Sequence, residues 1–387
     1  MANLTYEHVS QEESVNSAWD RLLIWRDHLI AKRGFQRIAG KLPIFRKVSK
    51  SRANQVFDLM AGFVYSQILL ACVRTHLFEH LKDGPLSLAD LSQKIDLPLK
   101  GLERLVLGAV SLKLLEKRSN HRYGLGALGA PLVGNNALTS MIEHHSALYQ
   151  DLRDPVGLLR GDLKDKALET YWPYITDSGE VLKGLNSQEK VAQYSQLMSD
   201  SLPLVADEII SSYSFSGHKL LLDVGGGQGT FISILGNAAK HLNFQLFDLP
   251  GVAQLAQIKL DQTPVKGKVV CHGGDFFNDE LPLGADIVTL VRVLFDHDDI
   301  RVKKLLRSIY DALPVGGKLL IAEPMADTPE KPEMGQAYFG FYLLAMGRGR
   351  PRTAKELAQF LYEVGFKECE LLKNSMTINA QILVAEK

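Results

Sequence analysis

Apolar positions follow two regimes along the chain. From Trp19 to Ser201 they recur mostly at helical spacing, and from Leu220 onward short continuous apolar runs alternate with helical patterns. Trp19, Leu22, Leu23, Trp25, Leu29 and Ile30 mark an early helix. Val56 to Leu81 reads as one long helix, apolar nearly all round, which needs cover from a domain core or a dimer interface. Gly84 and Pro85 stop it. Ser87 to Asp90 has the form of a capping box that opens a short helix, and Pro98 suits the first turn of the next, Leu99 to Leu112. Two short extended pieces follow, Leu114 to Lys117 and Tyr123 to Leu125. Helices followed by a hairpin make a winged-helix order. Leu128 to Ser201 is mostly helical with breaks at Pro131, Pro155, Gly161 and Pro173, and a helix from Val205 to Tyr213 leads onward.

The second regime is organised by Leu220 to Leu249, LLLDVGGGQGTFISILGNAAKHLNFQLFDL. An apolar run, a glycine turn, a helical pattern and a second apolar run are the first half of a nucleotide-binding α/β sheet. Further strands are expected at Val269 to His272, Ala285 to Val293 and Lys318 to Glu323, with helices at Leu305 to Leu313 and Lys355 to Val364. Glu368 to Leu372 and Ala380 to Glu386 read as a closing antiparallel pair. Continuous apolar strands imply a sheet covered on both faces, with ligands beyond the strands' carboxyl ends.

The turn runs Asp223, Gly225, Gly227, Gly229 with one residue between each named glycine. Glycine permits positive φ and lets a ligand approach the main chain. A dinucleotide fingerprint counted from Gly225 requires a small residue where Thr230 stands, so a nucleoside-like ligand without a pyrophosphate fits better. Asp248, at the end of the second strand, can accept both ribose hydroxyls. The arrangement resembles the S-adenosylmethionine (SAM) site of class I methyltransferases. In the turn after the third strand, Asp275 can accept the adenine amino group and Phe276 can stack on the ring; Arg292 ends the fourth strand nearby.

Composition narrows the partners. At 387 residues the chain is long enough for two domains. Lys+Arg and Asp+Glu are equal at 44 each, whereas nucleic-acid binding favours a basic excess. The Leu99 to Leu112 helix is apolar, with Glu103 beside Arg104, unlike a base-reading helix. Cys72, Cys271 and Cys369 are too scattered for a disulfide framework or a zinc site; no metal is expected, and a reducing cytosol is. Neither a signal segment nor an apolar run long enough to span a bilayer is expected. The cluster Lys47, Lys50 and Arg52 belongs either to a solvated arm packing on a neighbour or to a membrane-surface anchor.

From Val56 on, the motifs DVGGGQG, FDLPGV, GGDFF, DIVTLVRVLFDHDD, LPVGGKLLIAEP and RPRTAKELAQFLYEVGF resemble the plant-type and hydroxyindole-type O-methyltransferases. That resemblance implies a class I SAM methyltransferase, a Rossmann-like α/β sheet with an N-terminal winged-helix dimerisation domain, and a homodimer. Its divisions would be 1–55 as a helical arm, 56–127 for dimerisation, 128–204 as connector and substrate cover, and 205–387 for SAM binding. Asp223, Gly225, Gly227, Asp248, Asp275, Phe276 and Arg292 would hold SAM, with Met198 touching it. The family's catalytic motif, Leu-His-Asp-Trp-x-Asp, departs here to Leu294-Phe295-Asp296-His297-Asp298-Asp299. Phe295 cannot take a proton; the family's second acidic partner is replaced by Pro351, and Glu323 is retained. Asp296, His144, His145 and His297 remain as candidate proton acceptors.

In detail, ACVRTHLFE, LVRVLFDHDD, AMGRGRPRTAKE and the basic arm are similar to bacterial carotenoid O-methyltransferases, which methylate the 1-hydroxyl of acyclic carotenoids. The expectation is a long apolar acceptor with one hydroxyl, lined by Phe339, Phe341, Tyr342, Leu343 and Leu344, and a cytoplasmic enzyme in peripheral contact with a photosynthetic membrane. The alternatives are a bacteriochlorophyllide C-methyltransferase, a small-aromatic O-methyltransferase and a non-catalytic SAM-binding regulator.

Overall fold

A computed structural model describes residues 18–39, 41, 43–171, 201–377 and 380–387. The chain divides into two units, Met1–Leu77 with Pro85–Gly126, and Phe78–Gly84 with Ala127–Lys387.

The first unit opens with helices Ala18–Ala31 and Arg33–Ala39, then a helix of 32 residues, Pro43–Arg74. This helix starts before the expected Val56 and stops short of Leu81. It ends where Thr75 Oγ1 bonds the Ala71 carbonyl at 2.8 Å and His76 turns left-handed at φ 51°. A short helix, Leu77–His80, follows. Within the single chain, cover is found at one end only: Leu70, Cys72 and Val73 are buried, while Val56, Phe57, Leu59, Met60 and Phe63 are exposed. By length and composition Phe45–Arg74 is sufficient to cross a membrane, contrary to the expectation that no run would be. Its last turn, with Leu70, Cys72 and Val73, is nevertheless committed to this unit's core. A Cβ on Gly108 would stand 3.2 Å from Ile68 Cδ1, so the glycine lets helix Leu99–Ser111 approach it closely.

The cap before that helix is as the sequence reads: Ser87 Oγ accepts from the Asp90 amide, and the Asp90 carboxylate accepts from the Ser87 amide. Strands β1 (Leu86–Ser87), β2 (Leu115–Arg118) and β3 (Arg122–Leu125) form an antiparallel wing in the order β1-β3-β2.

The second unit holds a seven-stranded sheet. Its strands are β4 (Leu220–Val224), β5 (Asn243–Asp248), β6 (Val269–Gly273), β7 (Ile287–Val291), β8 (Lys318–Glu323), β9 (Lys367–Leu371) and β10 (Gln381–Glu386), in the order β6-β5-β4-β7-β8-β10-β9. The first five are parallel, and β10 runs antiparallel between β8 and β9. Alternate residues feed two cores, as the period of a strand requires. Leu221 and Leu320 join Phe231, Leu235 and Ile209 on one face; Leu222 and Leu319 join Leu305, Leu357 and Leu361 on the other.

Helices cover both faces. Residues 201–212 are helical, starting ahead of the expected Val205. Helix Thr230–Ala238 follows the glycine turn, and Pro250–Leu260 follows β5. The helix expected from Leu305 begins at Asp299, because the Asp298 carboxylate caps the Arg301 amide at 2.8 Å. Thr353 and Glu356 form a capping box for Ala354–Val364. In sequence, helices Asn136–Asp151, Pro155–Arg160 and Ala167–Tyr171 precede the glycine turn within the second unit. Pro155 opens a helix, capped by Asp154, instead of breaking one. Residues 334–339 form a π-helix that runs into helix Gly340–Met346.

Candidate functional site

The carboxyl ends of β4, β5, β6, β7 and β8 bring Gly225, Asp248, Gly274, Arg292 and Glu323 to one edge of the sheet. Gly225, Gly227 and Gly229 all have positive φ, at 71°, 56° and 75°. Their surroundings differ. A Cβ on Gly225 would meet Val293 at 2.9 Å and one on Gly229 would meet Leu260 at 2.5 Å, but one on Gly227 would meet nothing within 4 Å. Gly225 and Gly229 are glycines for packing as well as for the turn, and Gly227 presents bare backbone to open space. Asp248 ties the turn to β5: Oδ2 accepts from the Gly227 amide at 2.8 Å and Oδ1 from the Leu249 amide at 2.7 Å. Each oxygen keeps a lone pair for a further donor. Burial raises its pKa, and the two amides pull it back down.

Asp223 lies under the turn, fully enclosed. Thr289 Oγ1 donates to its Oδ1 at 2.7 Å, and a Cβ on Gly226 would come within 2.7 Å of its Oδ2. Burial pushes its pKa up to about 7. A group this enclosed supports the turn from below.

Asp275 uses both oxygens in its own turn, accepting from the Phe277 amide at 2.9 Å and from Asn278 Nδ2 at 2.6 Å. Phe276 lies against the glycine turn, with Cε1 3.8 Å from the Cβ position of Gly225. Phe276 and Phe277 meet edge to face, and His297 stands edge-on to both rings, at 5.8 and 4.9 Å between centroids. His297 therefore joins the Phe276 turn to the loop after β7. Burial and the nearby arginines lower its pKa to about 4, so it is neutral at neutral pH.

That loop is fixed by two buried charges. Glu323 Oε2 accepts from the amides of Leu294 and Phe295 at 3.0 and 3.2 Å. Arg352, 0% exposed, donates to the Leu294 carbonyl at 3.0 Å, the His297 carbonyl at 2.6 Å and Asp299 Oδ1 at 2.9 Å. Arg350 holds the other oxygen of Asp299 at 2.9 Å. Held this way, Phe295 turns its ring into an apolar cluster with Leu148, Leu158, Tyr342 and Leu343, 6.1 Å from the ring of Phe339. The next residue, Asp296, is buried, with no hydrogen-bond partner on Oδ1 among the described residues. Burial raises its pKa well above the carboxylate range; Arg292 opposes the shift and Glu323 adds to it. Arg292 itself has φ 59° and donates to Ser201 Oγ at 2.8 Å. A non-glycine residue held there costs on the order of 1–3 kcal/mol, a cost found most often at functional sites.

Across from Phe295, His144 Nε2 lies 2.7 Å from Tyr342 Oη. Burial, His145 and Arg292 lower the His144 pKa to about 4. His145 Nδ1 donates to the Met141 carbonyl at 2.6 Å, so its Nε2 accepts from Tyr338 Oη at 2.8 Å when the ring is neutral. A cavity of about 470 Å³ opens beside this layer, lined by Asp296, His297, Leu343, Leu344, Lys166 and Arg348 among others.

The structure thus brings Gly225, Gly227, Asp248, Phe276 and Arg292 together at the sheet edge, with Asp296 and His297 facing the cavity. His144 is buried behind Tyr342 and does not line the cavity. Met198 lies outside the described residues. Sequence reasoning passed over Arg352, Tyr338 and Tyr342 as chemistry. The arginines on either side of Pro351 were the available signal.

Comparison with known proteins places this geometry. An O-methyltransferase domain family matches residues 149–367, and an O-methyltransferase dimerisation domain matches residues 57–135. The chain is 38% identical over 343 residues to demethylspheroidene O-methyltransferase of Cereibacter sphaeroides, covering 89% of each protein. It is 35% identical to the enzyme of the same name from Rhodobacter capsulatus, covering 90% of this chain and 85% of that one. The fold is that of human N-acetylserotonin methyltransferase solved in complex with SAM, at a TM-score of 0.69 and 24% identity, over 87% of this chain and 97% of that one.

Proposed function

Because the chain belongs to the O-methyltransferase family, we propose that it transfers a methyl group from SAM to the hydroxyl of a long apolar, carotenoid-like acceptor. The observation that carries the donor is the Gly227 amide bonded to Asp248 at 2.8 Å under open space. Support for the acceptor comes from the demethylspheroidene enzymes and from the apolar cluster around Phe295.

SAM, when bound, supplies a methyl group already activated for transfer. The chain's residues bind and orient. Asp248 accepts the ribose hydroxyls with its remaining lone pairs, Gly225 and Gly227 offer backbone, and Phe276 offers a ring face to adenine. Asp275 accepts the adenine amino group alongside its own turn contacts. Arg292 fixes the segment at Ser201 and balances the buried carboxyls. Met198 completes the set as the family resemblance implies.

The acceptor oxygen gains the methyl group and sheds its proton. An alcohol is not ionised at neutral pH, and no base at position 295 prepares it. Once alkylated, however, the oxygen is strongly acidic, so a weak base suffices to take the proton. A neutral imidazole with a pKa lowered to about 4 meets that need: His297 directly from the cavity wall, or His144 through the Tyr342 hydroxyl it is bonded to. Burial raises the Asp296 pKa, which favours a hydrogen-bond donor's role toward the acceptor oxygen over that of a base.

The working protein is read as a homodimer built on the matched dimerisation segment, cytoplasmic and in peripheral contact with the membrane in which such an acceptor dissolves. The test is incubation with methyl-labelled SAM and a hydroxylated acyclic carotenoid in detergent, followed by mass analysis. A labelled methyl ether supports the reading. Calorimetric SAM binding with no label on the carotenoid would remove the acceptor; no binding in folded protein would remove both.

A further inference from the structure

The chain is neutral overall, but its charge is not evenly spread. Residues 18–52 carry ten Lys or Arg against Asp20 and Asp27, a net of +8, which leaves −8 on the rest. All ten cations are exposed. Between them stand large apolar side chains that are also exposed: Trp19 at 64%, Trp25 at 61%, Ile38 at 61%, and Leu22, Phe45 and Val48 at about half. An arm that only filled a core would bury its indoles, and one that only solubilised the chain would not carry them.

We propose that this arm docks the protein on an anionic lipid surface, the cations meeting the headgroups and Trp19 and Trp25 entering the interfacial layer. Clustered Lys and Arg gain from the negative potential of such a surface, and indoles favour the boundary between headgroup and hydrocarbon. Two observations set the arm apart from the dimer contact. The matched dimerisation segment begins at residue 57, after the last of the ten cations, and the exposed Phe57, Leu59, Met60 and Phe63 lie inside it. A symmetric contact between two copies through the arm would bring like charges together, which an interface disfavours. A nucleic-acid duplex would answer the cations but leave the exposed leucine and isoleucine side chains without a counterpart. The inference goes beyond the acceptor reading and does not depend on it.

The test uses the full chain and sedimentation with two kinds of vesicle, phosphatidylcholine alone and phosphatidylcholine with phosphatidylglycerol. Binding to the second only, released by high salt, is expected. The charge-reversed variant Lys47→Glu/Lys50→Glu/Arg52→Glu should lower partitioning at least about tenfold. Trp19→Ala/Trp25→Ala should weaken it while keeping the salt dependence. Both variants should keep their SAM affinity by calorimetry and their dimer mass by light scattering. Equal or absent binding to the two vesicles by the native chain overturns the proposal. So does loss of the dimer on charge reversal, which gives the arm to a second copy, or duplex DNA binding as tight as vesicle binding, which gives it to nucleic acid.

Discussion

The amide of Phe295 donates to Glu323 Oε2 at 3.2 Å while its ring faces away, into the cluster with Leu148 and Tyr342. The retained carboxylate therefore holds the backbone of the very residue whose side chain has left the chemistry. Oε1 of Glu323 has no hydrogen-bond partner among the described residues, and burial lifts its pKa to about 7 against the pull of Arg352 and the two amides. A folded-state pKa above the unfolded one contributes stability that is complete below about pH 4 and is lost as pH rises through 7. Glu323→Gln keeps an acceptor for the two amides and removes the titration. The melting temperature of the variant relative to the native chain should rise between pH 5 and pH 8. A difference that is flat or falls across that range would rule this out.

Gly227 and Gly229 share a backbone conformation and differ in surroundings. Gly227→Ala meets no atom within 4 Å and should cost about 1–2 kcal/mol from its left-handed φ, while SAM affinity drops at least about tenfold because the methyl stands where the ligand approaches. Gly229→Ala drives a methyl to 2.5 Å from Leu260 and should cost more stability than Gly227→Ala. Thermal melts with calorimetry on both variants separate the two roles.

Arg352→Ala should be among the more damaging single changes. It leaves the carbonyls of Leu294 and His297 without their donor inside the protein, each worth about 1–3 kcal/mol, and adds a cavity. Arg352→Lys should recover only part, since an ammonium lacks the planar fork that reaches both carbonyls and Asp299. A chemical-denaturation loss of less than about 1 kcal/mol for the alanine variant would contradict the clamp.

The pH dependence of turnover at saturating SAM distinguishes the proton acceptors. If His144 or His297 takes the proton, the rate should be level through neutrality and fall as pH approaches 4, where the imidazole is itself protonated. His144→Gln or His297→Gln should lower turnover and abolish that acid limb in the variant concerned. A rate that climbs with pH above the ordinary carboxylate range, and loses the climb in Asp296→Asn, would assign the proton to Asp296 instead.

Much of this was legible in the residues because the signals were local. The turn from Asp223 to Gly229, the aspartate closing β5 and the box from Ser87 to Asp90 each depend on neighbours a few positions away. What escaped depends on distant parts of the chain. Nothing near Glu323 announces that it grips amides 28 and 29 residues earlier, and nothing near Arg352 announces two carbonyls more than 50 residues away. The Asp299–Ala312 helix begins ahead of its apolar signal because its first turn is polar, Asp298 capping it before the apolar stripe of Val302, Leu305 and Leu306 begins. The long helix shows a further limit: apolar periodicity reports that a surface wants cover, without saying whether the cover is its own chain.

Strand β10 is the last of the sheet in sequence, yet it lies inside it, paired with β8 on one side and β9 on the other. During synthesis, β8 must wait with an open edge until the 380s have emerged, and β9 has no partner at all before then. The nascent domain is thus exposed to wrong pairings from the completion of β8 at Glu323 until β10 arrives at Gln381, and its final assembly hangs on a contact of long sequence separation. Any slowing of translation late in this stretch would lengthen that vulnerable interval, without touching a single residue of the methyl-transfer site.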